Sequence, residues 1–342
     1  MSEKKTLSYY NYSKILSFNA IYNLIIGNRG KGKTFGIKKK AIKDAIIKGH
    51  QFIYVRRFKE ELAIARSTFF DDIREYFPGY DFKLQGKNCY WSHAVDRGMK
   101  DREWNLMGCF VALTQAQNFK SANFPRVKTV IFDEFILETN SQTYLRNEVN
   151  IFNNLYSTID RWKDKTRVFF LANSVSAMNP YFIEWKIVPS EDTEFIIKKD
   201  GFVICHIDNN QEFNDQVYDT KFGRFIQGTE YGNYAVENQF SDNHSEMLGI
   251  KDHKARYLFS LETKTGLFSV WYSFIENHYW VYDSQPKTPI IYTLDSHKMT
   301  TEKTLLTFSD KPLQNMRTAY RQARMVFESA VTRETFMEIF KR

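Results

Sequence analysis

Residues 21–34 read Ile-Tyr-Asn-Leu-Ile-Ile-Gly-Asn-Arg-Gly-Lys-Gly-Lys-Thr, an apolar run that leads into a glycine-rich loop. The last eight residues fit G-x-x-x-x-G-K-[ST], the pattern of the phosphate-binding P-loop. That motif requires a strand before it and a helix after it. Leu24 to Ile26 predict a buried strand, and Lys33 to Lys48 predict a helix that stops at Gly49. The flanking segments therefore favour a functional P-loop over a glycine-rich turn with a solvated lysine.

The loop residues suit a polyphosphate ligand for physical reasons. Glycines permit positive φ and leave room for backbone N–H groups to face the phosphates, and the positive end of the helix dipole adds to that field. Lys33 is expected to reach the β- and γ-phosphates of ATP, and the Thr34 hydroxyl to hold Mg²⁺. The glycines with this freedom are Gly27, Gly30 and Gly32. The predicted nucleotide-binding residues are Gly27, Asn28, Arg29, Gly30, Lys31, Gly32, Lys33 and Thr34.

A second motif, Val-Ile-Phe-Asp-Glu at residues 130–134, places two carboxylates after a β-prone run. This is the Walker B pattern, and its distance from the P-loop suits an α/β nucleotide-binding sheet, mostly parallel with helices on both faces. Asp133 is expected to bind Mg²⁺, usually through water, and Glu134 to orient and deprotonate the attacking water. A glutamate at this position indicates an NTPase that hydrolyses for work. The alternative is a pair of solvated acids at a strand end.

Three further residues are candidates for a catalytic role. Asn173 ends the next predicted strand, where its side chain can contact the γ-phosphate or the water; a turn or helix cap is equally compatible with this position. Arg161 ends a predicted helix over 144–163, about 22 Å along the helix from Arg146 at the nucleotide edge. It is therefore a candidate arginine finger acting on a neighbour's nucleotide, the alternative being a helix-end charge. Lys120, in the loop before the Walker B strand, invites the same interpretation.

Composition bounds the class of protein. The 342 residues are 43% hydrophobic and carry a net charge of +8, enough for two domains and compatible with a polyanionic partner. The three cysteines have no pairing spacing, which predicts a reduced, intracellular protein. No stretch is long and apolar enough to span a membrane, so no membrane partner is expected.

The chain is predicted to divide into an α/β ATPase domain over 1–208, a polar linker subdomain over 209–250 and a smaller α+β domain over 251–342. The basic candidates for nucleic-acid contact stand in or beside loops, or on one face of a last predicted helix, although most basic stripes are merely solvated. They are Arg57, Lys59, Arg97, Lys100 and Arg102, then Arg317, Arg321 and Arg324. Other predicted elements are helices over 59–77 and 312–342 and hairpins over 81–95 and 195–207.

Several segments together resemble the DNA-packaging ATPases of phi-29-like small tailed phages. The resemblance runs from about residue 13 to 240 and rests on the P-loop and on the runs at 52–57, 131–135, 173–176, 179–182 and 221–232. It implies an ASCE-type ATPase, usually a pentameric ring, docked on the portal of an empty capsid in the host cytoplasm and driving double-stranded DNA inward. Whether a structural packaging RNA takes part stays open. By this resemblance Arg161 matches a trans arginine finger, and Lys120 a second residue acting across the subunit interface.

The resemblance also likens the C-terminal domain to a reduced form of the RNase H-like nuclease of large terminases. Such nucleases cluster carboxylates around metal ions, whereas Glu262 and Asp283 alone stand at suitable strand ends here. The alternatives are a terminase with an active nuclease, a P-loop enzyme acting on a small phosphorylated substrate, and a portal- or nucleic-acid-binding module with a vestigial ATPase. The small number of carboxylates argues against the active nuclease, and Glu134 argues against the enzyme acting on a small substrate. The complete Walker set argues against the vestigial module.

Overall fold

The computed structural model describes residues 9–120, 122–137, 144–173, 179–189, 193–237, 248–322, 324–337 and 339. The chain forms two compact units, Met1–Ser241 and Asp242–Arg342. The helices that follow residue 208 therefore belong to the first unit. This division differs from the predicted one, in which residues 209–250 were a separate linker subdomain.

Among the described residues, the first unit holds a nine-stranded sheet. Its strands are β1 Tyr22–Gly27, β2 Gln51–Arg56, β3 Tyr80–Gln85, β4 Asn88–His93, β5 Asn105–Ala112, β6 Val127–Asp133, β7 Arg167–Ala172, β8 Phe195–Lys198 and β9 Val203–Asp208. The order across the sheet is β3-β4-β5-β2-β6-β7-β1-β9-β8. The strands from β5 to β9 in this order run parallel, and β3, β4 and β8 add antiparallel edges. One strand, β7, separates the P-loop strand from the Walker B strand, as in ASCE-type ATPases, so the predicted fold class is confirmed.

Helices cover both faces of this sheet because its central strands are apolar on both sides. Leu24 and Ile26 pack into one cluster with two later helices, α4 (Glu148–Asp160) and α5 (Pro180–Trp185). Ile25, which points the other way, packs with α1 (Tyr12–Ser17), α2 (Lys33–Lys48) and α3 (Lys59–Ser67). All three side chains are fully buried. The helices of the unit are α1 Tyr12–Ser17, α2 Lys33–Lys48, α3 Lys59–Ser67, α4 Glu148–Asp160, α5 Pro180–Trp185, α6 Gln211–Tyr218, α7 Lys221–Ile226 and α8 Glu230–Ala235.

Most local predictions for the first unit match the structure. The P-loop helix ends at Gly49, whose φ of 65° is left-handed, and both hairpins, β3–β4 and β8–β9, are present. The helix predicted over 59–77 is wrong in length, since α3 ends at Ser67. Phe69 and Phe70 are both buried in one cluster. From here several backbone N–H groups, such as those of residues 69, 71 and 73, donate to the carbonyl three residues back, so the chain continues as turns.

The second unit has a six-stranded mixed sheet in the order β14-β13-β10-β11-β12-β15 among the residues described there. Its elements are β10 Arg256–Glu262, β11 Leu267–Ser273, β12 His278–Tyr282, β13 Ile291–Thr293, β14 Lys303–Leu305, α9 Lys311–Arg321, β15 Met325–Phe327 and α10 Ala330–Met337. Strands β10 to β12 form an antiparallel meander, and a parallel strand flanks it on each side.

The prediction of continuous helix over 312–342 is wrong, because β15 interrupts it. Met325 and Phe327 are fully buried on one face of this strand, which pairs with β12. Arg324 therefore lies beyond α9 and does not share a helix face with Arg317. Every helix in the described part of the chain falls short of the length and apolar character needed to cross a bilayer.

Asp160 shapes the turn between α4 and β7. Its carboxylate accepts hydrogen bonds from the backbone N–H groups of residues 163 and 164 through Oδ2 and of residues 165 and 166 through Oδ1, at 2.7 to 3.0 Å. Burial alone would raise the pKa of this carboxyl, but the four hydrogen bonds outweigh it and lower the pKa below its ordinary value. The charged form is therefore the one that stabilises the fold.

We expect Asp160→Asn to lower the free energy of unfolding by about 2 kcal/mol near neutral pH, because the amide leaves buried N–H donors unpaired. The folded-state pKa is depressed, so the contribution is present above about pH 4, the pKa of an unfolded aspartate, and is lost as the pH falls through the folded value. Urea unfolding of both proteins across this range measures the difference. The exposed neighbour Asp164→Asn is the control and should change stability by less than about 0.5 kcal/mol. A difference that grows toward acid pH would contradict the assignment.

Candidate active site

A cavity of 530 Å³ opens at the carboxyl edge of β1, β6 and β7, where the P-loop and the Walker B strand meet. Parallel strands end at the same edge of a sheet, which brings residues distant in the chain together. The cavity is lined by Tyr9, Arg29, Gly30, Lys31, Gly32, Lys33, Thr34, Phe35, Asp72, Glu75, Tyr76, Asp133, Glu134, Leu171, Ala172 and Asn173.

The P-loop glycines act in two different ways. Gly30 and Gly32 have φ values of 81° and 73°, in the left-handed region that favours glycine. The φ of Gly27 is not positive. This residue ends β1 instead, and a Cβ there would lie 3.3 Å from the Cβ of Asp208 on β9, so glycine is favoured by the close approach of two strands.

Lys33 is buried beneath the loop that it belongs to. Its Nζ donates to the carbonyl oxygens of Gly27 and Asn28 at 2.7 and 2.8 Å and to Oδ1 of Asn173 at 3.2 Å. Burial lowers the pKa of Lys33 to about 8, which leaves the amine mostly protonated at neutral pH. The structure thus places Asn173 against the phosphate-binding lysine, while a role in reading the γ-phosphate stays a prediction.

Two other P-loop side chains are anchored by contacts outside the P-loop. Lys31 pairs with Asp208 at 2.6 Å. Asn28 donates to Asn214 Oδ1 at 2.7 Å and to the carbonyl oxygen of Val236, so its side chain fastens the loop to the helical segment that follows β9. Arg29 is exposed at the cavity wall. For Asn28, the structure therefore favours an anchoring role for the side chain.

The Thr34 hydroxyl and the Asp133 carboxylate form the predicted metal-binding pair. Thr34 Oγ1 donates to Asp133 Oδ1 at 2.9 Å. Hydroxyl and carboxylate oxygens are ligands that Mg²⁺ accepts, and adjacent corners of its octahedron, with bonds of about 2.0–2.1 Å, lie about 2.9 Å apart. The two residues therefore fit Mg²⁺ in type and spacing.

Two residues of β2 complete this edge and were not predicted as site residues. Tyr54 donates to Asp133 Oδ2 at 2.6 Å, and Arg56 Nη2 donates to Glu134 Oε2 at 2.5 Å. Burial would lower the pKa of Arg56, but the Asp133 and Glu134 carboxylates outweigh it and raise the pKa. In the sequence, the signal for these two residues was only that polar side chains stand near the end of a predicted strand. That signal becomes informative once β2 is known to lie beside β6.

Arg161 and Lys120 lie outside the cavity, as predicted. Arg161 caps the carboxyl end of α4, which begins near the nucleotide edge and spans thirteen residues, about 20 Å. Its Nη2 donates to the carbonyl oxygen of Ala122 at 3.1 Å, next to the loop that carries Lys120. Both side chains are exposed. They are thus brought together at the opposite edge of the sheet, and their roles in trans stay predictions.

The predicted nucleic-acid contacts fare unevenly. The prediction that Arg57 contacts nucleic acid is wrong, because its side chain is 1% exposed and paired with Glu148. Arg97 and Arg102 both bind Asp81 and hold the pKa of that carboxyl well below its ordinary value. Lys59, Lys100 and Arg317 are exposed, and the side chain of Arg321 lies outside the described part of the structure.

Among the residues that the structure describes, neither Glu262 nor Asp283, the two carboxylates predicted at strand ends of the second unit, belongs to a cluster of metal-binding side chains. Glu262 accepts from Lys303 at 3.0 Å, with Lys298 at 3.9 Å, and the Asp283 backbone N–H bonds Glu328 at 3.0 Å. No group of three histidine, cysteine, aspartate or glutamate side chains suited to a metal occurs among the residues that the structure describes. The absence of a nuclease centre stays a prediction.

Comparison with known proteins identifies the relatives of this chain. It is 32% identical over 337 residues to a DNA packaging protein of Bacillus phage PZA, covering 98% of this chain and 97% of that protein. Its fold is similar to a chain of the bacteriophage Phi-29 viral genome packaging motor assembly, with a TM-score of 0.73, 31% identity and coverage of 98% and 99%. It is also similar to the N-terminal domain of the DNA packaging ATPase from bacteriophage phi29, with a TM-score of 0.53 and 36% identity, covering 60% of this chain and 98% of that one.

These likenesses agree with the resemblance found from the motifs and extend it beyond residue 240. The family model described as Podovirus DNA encapsidation protein (Gp16) matches residues 4–342, which include both units. The chain therefore belongs to the podovirus DNA encapsidation protein (Gp16) family.

Proposed function

We propose that this chain is the ATPase of a viral motor that drives double-stranded DNA into a prohead. The observation that carries the proposal is the 2.9 Å contact between Thr34 and Asp133, with Glu134 beside it, at the wall of one cavity. This arrangement supplies a phosphate-binding loop, a metal-binding pair and a general base at a single sheet edge. The names of the relatives supply the direction in which the energy of hydrolysis is used.

The residues of the site divide the work of hydrolysis. Lys33, held by two loop carbonyls, carries the positive charge that binds the β- and γ-phosphates, and the N-terminus of α2 adds its dipole. Glu134 takes the proton of the attacking water and must turn from Arg56 to do so, and Asn173 orients the γ-phosphate end. Thr34 and Asp133 would hold Mg²⁺, which would supply positive charge beside the phosphates.

A ring of identical chains follows from the position of Arg161. About 20 Å of helix separate it from its own nucleotide edge, so it serves a neighbour's site. The adjacent Trp162 is 90% exposed, and arginine and tryptophan are enriched at the centres of protein interfaces. Lys120 acts across the same boundary. We propose that this ring is a pentamer, as the family resemblance implies, and that it docks on the portal of a prohead in the host cytoplasm.

The second unit is proposed to lack nuclease activity. The ammonium groups of Lys303 and Lys298 lie against Glu262, and these positive charges oppose a divalent cation at that carboxylate. The proposed nucleic-acid partner of the whole chain is double-stranded DNA.

We expect Lys33→Ala to weaken ATP binding and Glu134→Gln to bind ATP but to hydrolyse it at least about 10²-fold more slowly, the scale of losing a general base. Turnover is measured with and without double-stranded DNA and portal-bearing proheads, and nucleotide affinity with a fluorescent ATP analogue. Wild-type turnover should rise when both partners are present. Near-wild-type hydrolysis by Glu134→Gln would remove this residue from the mechanism, and a rate indifferent to DNA and proheads would remove the motor function.

Mixing two inactive variants tests the neighbour's use of Arg161. Arg161→Ala should bind ATP normally and lose most turnover, since an arginine finger supplies about 10³–10⁵ in rate. Arg161→Ala chains combined with Glu134→Gln chains should regain some hydrolysis, because a Glu134→Gln chain offers its intact arginine to a neighbour that keeps its glutamate. Arg256→Ala, at an exposed arginine with no proposed role, is the control and should hydrolyse ATP normally. No recovery in rings shown to be mixed would leave Arg161 as a helix-end charge.

A further inference from the structure

Arg57 lies at the centre of a buried network beside the candidate active site. It follows β2 directly, and its side chain is 1% exposed. Its Nε and Nη2 atoms donate to the two carboxylate oxygens of Glu148 at 2.8 and 2.9 Å, the bidentate geometry that a guanidinium supplies and an ammonium does not. Glu148 neutralises the buried charge, which explains how Arg57 is tolerated in the interior.

The same guanidinium also binds the backbone that carries Glu134. Nη1 donates to the carbonyl oxygen of Glu134 at 3.2 Å, and Nη2 donates to that of Phe135 at 2.6 Å. On the other side, the Phe135 N–H donates to the carbonyl oxygen of Leu171 on β7 at 3.2 Å. The peptide groups next to the expected general base are therefore held from β2 and from β7 together.

Glu134 needs this support because its backbone is in an unfavourable conformation. Its φ of 54° lies in the left-handed region, which non-glycine residues keep only where the surrounding structure determines it. Its carboxylate is more than half exposed at the cavity wall. Packing around the side chain therefore contributes little to its direction. Because the ion pair with Arg56 has to be released before Glu134 can meet the attacking water, the backbone has to set the direction of the free carboxylate.

Glu148 is fixed in turn by groups other than Arg57. Its Oε1 accepts from the Tyr181 hydroxyl at 2.9 Å, and its Oε2 accepts from the Leu145 N–H at 2.9 Å. It is also the first residue of α4, where the helix dipole favours a negative charge. The guanidinium thus has a rigid anchor from which to hold the Glu134 peptide.

We propose that Arg57 is a positioning residue for ATP hydrolysis, which fixes the Glu134 and Phe135 peptide groups and thereby aims the Glu134 carboxylate at the attacking water. Arg57 does not line the 530 Å³ cavity, so it acts through Glu134 and not on the nucleotide. The inference rests on the proposed function, in which Glu134 is the general base.

Two single variants separate this role from a purely structural one. Arg57→Lys keeps a positive charge opposite Glu148, but its single ammonium cannot bind the carboxylate and both carbonyls in one plane. Glu148→Gln removes the charge of the anchor, but its amide oxygen can still accept a hydrogen bond from Arg57, which keeps its donors for the two carbonyls. In the full chain with DNA, we expect Arg57→Lys to lower kcat about tenfold or more, the scale of a misplaced catalytic group, with the ATP Kd within about threefold of wild type. Glu148→Gln should lose much less turnover.

Melting temperatures of both variants show whether the comparison is matched in stability. Should either single variant fail to fold, the double variant Arg57→Met, Glu148→Met replaces both charged side chains by apolar ones. Proteins often tolerate such a replacement of a whole buried ion pair. It should still bind ATP and still lose kcat. A wild-type kcat in Arg57→Lys would overturn the proposal, as would a wild-type kcat in the double variant if the single variants do not fold. An equal loss of kcat in Glu148→Gln, at the same melting temperature, would overturn it too.

A double-mutant cycle distinguishes this inference from the proposed function itself. In the Glu134→Gln background, Arg57→Lys should cost no further turnover, because the two residues act as a unit. An additive loss would overturn the positioning role while leaving Glu134 as the base. Near-wild-type turnover of Glu134→Gln alone would instead overturn the general-base assignment on which the inference rests.

Discussion

The carboxylate of Asp133 is the point at which the active-site edge is assembled. It ends β6 and accepts hydrogen bonds from Thr34 at the start of α2 and from Tyr54 on β2, with Arg56 at 3.5 Å. These contacts exist only because β1, β7, β6 and β2 run parallel and end at one edge. Because β7 lies between β1 and β6, it sets the distance between the P-loop strand and the Walker B strand, which the contact between Thr34 and Asp133 bridges. Asn173, the residue after β7, is thereby placed against Lys33.

The local part of this site could be predicted from the sequence. A P-loop is continuous in the chain, and its strand, turn and helix are specified by neighbouring residues. The contribution of β2 could not be predicted in the same way, because it depends on which strand lies beside β6. Arg56 and Arg57 show the difficulty directly. Consecutive residues at a strand end point to opposite faces, so the Arg56 side chain reaches the Asp133 and Glu134 carboxylates. The Arg57 side chain, predicted to touch DNA, is instead buried against Glu148 of α4.

Short elements were predicted less well for a related reason. Three residues of β15 carry too little periodicity to be told from a helix, and their strand conformation is set by pairing with β12. The segment after residue 208 looks polar and unstructured in composition, yet it forms α6, α7 and α8. Thr220 and Thr229 cap the last two of these, each accepting from the N–H of a glycine three residues on. Asn28 of the P-loop contacts this helical segment at Asn214 and Val236. These residues lie far from Asn28 in the sequence, so no local pattern indicates the contacts.

Helix α4 imposes a constraint on any complete catalytic site. Its first residue, Glu148, is fixed through Arg57 to the peptide that carries Glu134, and the residue after its last turn is Arg161. A thirteen-residue helix does not shorten, so the base and this arginine stay about 20 Å apart along its axis. One chain therefore cannot bring both groups to the same nucleotide. If Arg161 acts in hydrolysis at all, it must be paired with the Glu134 of another chain, and the smallest complete unit of the proposed motor is an interface between two chains.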